Sequence, residues 1–510
     1  MSGVFVRNSY FGTIAGLCNT LGSFVAGLLV ARLLGVDGTG TFGFATWAVM
    51  TATVVFGAGI PFTLARFMPE LAAGSSPAEA DRLPVFLRPY YAAFSLLPTA
   101  LFIAYGLWLF ANADPKTTDD SLNQPYLWLV IGFACAAQAW AEYTRAYLRG
   151  TQNFKALAIF ALASFAVQAL AITAGALSLG VHGAIIGFWF AQFIIVLAAP
   201  WQHSDKRQIS SDIVKRVRRY ASYRWASEIT QTFIWARAEI FFLALWFDAS
   251  AVGLFTVALS LANLAVQGPL MLTWGLLPRL SEQYAETGVA SLGEAYATGT
   301  RLMAFIVLPA CFGLAALIPE VLPLLYGVQF TDAVPAAIIL VLGSCVGATG
   351  VVGANAMWAA EKVDVEFYLN LLGVLLTIAG GIFIIPAFGV VGAAVSRIIV
   401  QCTIIALAQL FMVRSLRFTF PLVHITRLLG AATVCGATAF AIISLNPSPL
   451  MLPLSIAAGA ATYFITVRIF RGLTPADQAR LEALVDQLPS PLSRLVGIMV
   501  KVLFSAPQSS

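Results

Sequence analysis

"WARAEIFFLALWF", residues 235–247, is an apolar run that carries an arginine and a glutamate two positions apart. With its flanks it extends over 222–246, enough for the roughly 20 helical residues that cross a hydrocarbon core of about 30 Å. A charge inside such a span costs about 2.5–3.5 kcal/mol on insertion scales. Arg237 and Glu239 therefore need a reason to be there.

The rest of the chain has the same character. Of its 510 residues, 59% are hydrophobic and only 10% charged, against about 25% charged in a soluble domain. The mean hydropathy is +0.85. So much apolar surface excludes a soluble fold and implies an all-α polytopic membrane protein. Fourteen apolar segments are legible, near 9–31, 40–62, 88–110, 125–147, 156–178, 181–200, 222–246, 251–275, 300–320, 333–357, 367–386, 389–412, 425–445 and 449–469. No small-residue cleavage site follows the first, which is read as a retained helix.

Basic residues test that count. With the N-terminus in the cytoplasm, 25 of the 29 Lys and Arg fall on the inner side, the densest cluster being Lys206 to Arg224. Arg32 and Lys116 fall outside, and Arg237 and Arg397 lie within spans. This is the bias of the positive-inside rule, and both termini are expected to be cytoplasmic. Dropping one helix would invert every later loop. The cluster at 206–224 is read mainly as a topology determinant that can also attract anionic headgroups. The expected organisation is a six-helix lobe over 1–200, a basic linker over 201–221 and a second lobe over 222–412. Two further helices over 413–470 and a cytoplasmic tail over 471–510 follow. In the tail, "TPADQARLEALVDQL" (474–488) reads as a short helix capped by Thr474 with Pro475 in its first turn; "SPLSRLVGIMVKVLF" (490–504) fits a surface helix.

The two lobes resemble each other. "GTFGFAT" (40–46) aligns with "GLFTVAL" (253–259), and "LGVHGAIIGFWFAQF" (179–193) with "FGVVGAAVSRIIVQC" (388–402). Gly180 pairs with Gly389, Gly183 with Gly392 and Gln192 with Gln401. Six helices per repeat is an even number, so helices 1–6 and 7–12 form parallel repeats, an architecture used by transporters. The six cysteines and three histidines are scattered through the chain, with no disulfide framework and no metal-ligand spacing. The outer loops are short, and their acids are mostly isolated. No nucleophile–base constellation appears, and an enzyme such as a glycan polymerase or ligase is disfavoured.

Three stretches carry a family resemblance: "ARLLGVDGTGTFGFATW" (31–47), the basic run and span over 215–262, and "LLPRLSEQYAETG" (276–288). They resemble the polysaccharide flippase (Wzx-like) branch of the multidrug/oligosaccharidyl-lipid/polysaccharide exporter superfamily. The resemblance implies a bacterial inner-membrane protein with two six-helix lobes around a central cavity, working by alternating access. The implied cargo is an undecaprenyl-diphosphate-linked oligosaccharide, carried from the cytoplasmic to the periplasmic leaflet for O-antigen or exopolysaccharide synthesis. No cofactor is implied beyond a proton or sodium gradient. The implied partners are that glycan, membrane lipids, and a glycan polymerase or glycosyltransferases, with no nucleic acid. A drug or other lipid exporter of the same superfamily is the nearest rival.

If span 7 is a continuous helix at 100° per residue, Arg224, Glu228, Gln231, Thr232, Trp235 and Glu239 form one polar stripe. Arg237 then lies on the other face, and residues two apart cannot pair locally. Glu239 and Arg397 lie at matching depth, and Arg224 can reach Glu228 one turn on. A surplus of arginine in the outer half suits a diphosphate, which accepts the bidentate guanidinium fork. The substrate-binding candidates are thus Arg237, Arg397, Asn19, Gln231 and Trp235, with Thr20 and Ser23 beside Asn19. Glu239 and Glu228 are candidates for ion coupling or salt bridging. A structural salt bridge, with Arg237 snorkelling outward, is the competing reading. Gly347, Gly350 and Gly353 predict close helix packing or else a helix that flexes, the first being favoured, and Pro61, Pro269 and Pro309 are candidate bend points.

Overall fold

A computed structural model describes residues 2–73, 77–112, 121–199, 209–235, 237–271, 273, 280, 289–475 and 477–478. Outside them lie most of the acidic outer loop, the basic run 200–208, most of "LLPRLSEQYAETG" and the tail beyond Gln478. The described residues contain helices and no strand. That is what a hydrocarbon solvent demands, because each backbone N–H and C=O must be satisfied within its own segment. Nine helical segments among them are long and apolar enough to cross a membrane. Their outward side chains are apolar, Leu170 and Leu177 being 73% and 74% exposed, so the chain is a multi-pass membrane protein.

The helices are α1 (Ser2–Phe56), α2 (Ile60–Ala73), α3 (Pro77–Ala111), α4 (Pro125–Gly150), α5 (Phe154–Phe190), α6 (Phe193–Val196), α7 (Ser211–Trp235), α8 (Glu239–Trp246) and α9 (Ala249–Met271). Then follow α10 (Val289–Tyr326), α11 (Val334–Ala359), α12 (Val363–Ala379), α13 (Ile385–Ser415), α14 (Leu422–Leu445) and α15 (Leu452–Phe470). Three of them carry a non-helical glycine. These are Gly35 in α1 (φ 69°, ψ −162°), Gly180 in α5 (φ 62°, ψ −139°) and Gly389 in α13 (φ 56°, ψ −132°). Positive φ with such ψ is open essentially to glycine alone. In α5 the consequence is a full reversal. A Cβ on Gly183 would run into the Gly175 carbonyl, and one on Gly187 into that of Ala171. In an unbroken helix, Gly175 and Gly183 would stand about 12 Å apart. The chain therefore doubles back at Gly180, and small residues let its two arms touch. Each of the three glycines opens a Gly-Val-x-Gly sequence (35–38, 180–183 and 389–392).

The chain forms two compact units, Met1–Thr256 with Thr377–Val390, and Val257–Leu376 with Val391–Ser510. In the first, α1 packs along α5 and α3 along α4. Ile60, Leu64, Phe67 and Leu71 of α2 are buried with Leu83, Tyr91, Tyr143, Ile213 and Val217. The buried hydroxyls of Tyr91 and Tyr143 donate to the carbonyls of Ala139 and Pro84, which keeps two polar groups satisfied in an apolar core. In the second unit, α10 packs on α11 and α14, and α14 on α15. Gly347, Gly350 and Gly353 of α11 lie against Gln401, Ile405 and Met412 of α13, so that stripe is a packing ridge.

Several sequence expectations need correction. The second span ends at Phe56, and Ile60–Ala73 is a separate helix with Pro61 in its first turn, so Pro61 starts a helix rather than bending one. Pro269 and Pro309 do lie inside helices. Residues 211–221, read as linker, already belong to α7. Most importantly, span 7 is not one helix.

Candidate functional site

α7 stops at Trp235 and α8 begins at Glu239. Between them Arg237 has φ 68°, a left-handed conformation that costs an ordinary L-residue about 1–2 kcal/mol. The Ile240 and Phe241 N–H groups donate to the Arg237 and Ala238 carbonyls, at 3.0 and 3.1 Å, closing tight turns as the second helix starts. The single polar stripe expected along span 7 therefore ends at the break, because the 100° register does not carry across it. Glu228 and Glu239 are not on one helix face by construction.

The break also reframes the two charges. Glu239 is 3% exposed and sits in the first turn of α8, where a carboxylate complements the partial positive charge of a helix N-terminus. Arg237 is half-buried at the interruption itself. Non-helical backbone at membrane depth survives only when buried in protein or lining a water-filled cavity. Discontinuous spans are where transporters place their binding sites.

Before the break, α7 is internally paired. Arg224 forms an ion pair with Glu228 one turn on, and its guanidinium lies 4.4 Å from the Phe62 ring centroid. Gln231 Nε2 donates to Ser227 Oγ at 3.4 Å. Trp235 ends α7, and its side chain lies outside the described residues. In α1, Asn19 and Ser23 are exposed and Thr20 is half-buried. Arg397, 8% exposed, lies on α13 in the second unit, whereas Arg237 and Glu239 belong to the first. Among the described residues no three His, Cys, Asp or Glu side chains converge on a metal position.

Two polar clusters escaped the sequence reading. In the first unit, Arg145 donates to Glu142 at 3.1 Å and to Gln192, and Arg149 lies 3.6 Å from Glu142. The spacing Glu142, Arg145, Arg149 was the available signal, masked by counting both arginines as topology residues. In the second unit, Arg301 Nε and Nη2 donate to the two oxygens of Asp477 at 3.0 and 2.9 Å. Asp477 also accepts from the Thr474 N–H at 2.9 Å, while its own N–H donates back to Thr474 Oγ1 at 3.3 Å. This reciprocal capping box is the expected Thr474 cap, and it ties the start of the tail to α10. Burial pushes the Asp477 carboxyl up, but hydrogen bonds from Arg301 and Thr474, with the Arg301 charge, outweigh it and hold the group below the usual carboxylate range.

Comparison with known proteins places this fold among solved membrane transport proteins. A family model described as "Polysaccharide biosynthesis protein" matches residues 93–335. The chain is similar to a solved "Lipid II flippase MurJ, inward closed conformation", with a TM-score of 0.70 at 16% identity, covering 90% of this chain and 98% of that one. It is also similar to a "multidrug resistance MATE family transporter of the MOP superfamily" in its inward-facing conformation, with a TM-score of 0.65 at 15% identity, covering 78% of this chain and 96% of that one. No curated protein sequence matches it significantly. The resemblance to the exporter superfamily read from the sequence is thus upheld by a sequence-family match and by fold.

Proposed function

We propose that this protein is a flippase that moves an undecaprenyl-diphosphate-linked oligosaccharide from the cytoplasmic to the periplasmic leaflet of a bacterial inner membrane. It would do so by alternating access, for cell-surface polysaccharide synthesis. The observation that carries the reading is the interruption of span 7 at Arg237, a cationic residue at a break in the membrane, as an anionic headgroup requires. The polysaccharide-family match over 93–335 supports the glycan.

Fourteen passes with both termini cytoplasmic remain our topology. Three of the nine apolar segments contain a left-handed glycine, and each of these counts as two passes. α4 and the α7–α8 pair, which are not among those nine, add the last two. Gly180 and Gly389, aligned by sequence, share one backbone conformation, which supports the six-helix repeat. Arg237 is our first candidate for the diphosphate and Arg397 the second, while Asn19, Gln231 and Trp235 are candidates for sugar contacts. Glu239 and Glu228 are the candidates for proton or sodium coupling.

Deletion of the gene tests this. The expected result is a complete lipid-linked glycan accumulating on the cytoplasmic leaflet, with loss of surface polymer. Glycans that reach the periplasm normally would sink the proposal. Dye and drug efflux is then the next assay, since the fold is shared with a multidrug transporter.

A further inference from the structure

The N-terminal end of α7 carries a basic surface that is not part of the candidate site. Ile213 and Val217 are buried against α2 and α3. At 100° per residue, Lys215, Arg218, Arg219 and Ser222 fall within about 50° of a line on the opposite face, and all four are exposed. The acids nearby are engaged or few. Glu70 pairs with Arg216, and Glu79 accepts the Ser210 N–H at 2.8 Å. Asp212 stands in the first turn of α7, where it complements the helix dipole. Lys215, Arg218 and Arg219 form no ion pair among the described residues. Beside them, the exposed Arg66 of α2 stacks on Tyr220 of α7 at 4.5 Å and extends the basic surface across two helices.

Depth identifies the partner. The three cations lie three to seven residues before position 222, where the apolar span begins, so roughly 5–10 Å outside the hydrocarbon at 1.5 Å per residue. That is the headgroup layer. Tyr223, 71% exposed, and Trp225 follow immediately, at the level where amphipathic aromatic rings settle. The Trp225 indole donates to the Val55 carbonyl at 2.7 Å and fixes the inner end of α7 to α1.

We infer that the Lys215–Arg218–Arg219 face binds the headgroups of anionic phospholipids in the cytoplasmic leaflet. Each cation at a membrane surface favours an anionic lipid about fivefold, with an effect that fades beyond a Debye length. The inference is independent of the glycan reading, since it concerns bulk lipid at a helix face rather than cargo.

The test uses the full chain with a photo-reactive benzoylphenylalanine in place of Ser222, reconstituted in bilayers of equal phosphatidylcholine and phosphatidylglycerol. The expected result is a phosphatidylglycerol adduct about fivefold or more in excess at low salt. High salt, or the triple variant K215Q/R218Q/R219Q, should bring the two adducts to parity, while the charge-conserving K215R/R218K/R219K keeps the excess. Equal adducts in the unsubstituted background, or an excess that neither salt nor neutralisation removes, would overturn the assignment. The salt titration needs no charge variant, so a misfolded triple variant leaves the proposal testable.

Discussion

Arg301 and Arg237 are both arginines withdrawn from water, and the protein treats them in opposite ways. Arg301 stays within the helical run of α10, its side chain 12% exposed, and a carboxylate is brought to it from the tail. Its guanidinium donates twice to Asp477 and once to Thr298 at 3.1 Å. Arg237 instead sits where the helix gives way, in a backbone conformation that no glycine or proline nearby requires. Arg301 is neutralised without disturbing its helix. Strain around a charge points instead to function, and that is why Arg237 is our first candidate for the diphosphate.

The sharpest way to break this comparison is to separate the Arg237 side chain from its backbone. Arg237→Gly relieves the left-handed strain of about 1–2 kcal/mol, so the folded protein should be retained with its melting temperature unchanged or raised. Flipping should nevertheless be abolished, as in Arg237→Gln and Arg237→Lys, judged by loss of surface polymer at normal protein levels. Full activity in the glycine and glutamine variants would show that the break matters and the guanidinium does not.

The structural arginine should answer oppositely. Asp477→Ala strands a buried guanidinium and removes a cap, at a cost of about 3 kcal/mol, read as a lowered melting temperature in detergent. Arg301→Met with Asp477→Leu should recover most of that loss. Because the Asp477 pKa is depressed in the folded state, its contribution is complete above the unfolded value of about 3.9. It is lost only as pH falls through the lower folded value. Melting from pH 5 to 8 should therefore show no titration that Asp477→Ala removes, and a step in that window would contradict the pairing.

The α5 reversal sharpens the contrast between strain and packing. Gly183→Ala would drive a methyl into the Gly175 carbonyl, whereas a methyl at Gly180 meets open space and suffers only from its φ of 62°. Both should destabilise, Gly183→Ala more, with Gly180→Ala costing about 1–3 kcal/mol. The reverse order in a thermal-melt comparison would mean that the two arms are not in contact. The smallest effect is expected from Glu228→Gln. Its pair with Arg224 is partly exposed, with side chains 17% and 33% accessible, so less than about 1 kcal/mol is at stake. A loss of transport at unchanged stability would instead mark Glu228 as a coupling site.

Much of this was legible beforehand. Apolar length alone announces a multi-pass helical membrane protein, since no other solvent tolerates such segments. Gly180 and Gly389 were legible as repeat partners, but the positive φ that they share with Gly35 is seen only in the structure. The Thr474–Asp477 spacing announces a cap. The site was less legible. Ala236, Arg237 and Ala238 are all good helix formers, so nothing local signals the interruption, and a 100° wheel drawn through them put Arg237 on a face that does not exist. Arg301 read as one more inner cation, because its partner lies 176 positions away.

The sequence by itself determined the solvent and the helical class, because these follow from transfer energies and backbone hydrogen bonding. Only the tertiary structure decided where span 7 breaks and which carboxylate meets Arg301. Both depend on what packs around a residue, and a strain of 1–2 kcal/mol is invisible until the surroundings that enforce it are in place.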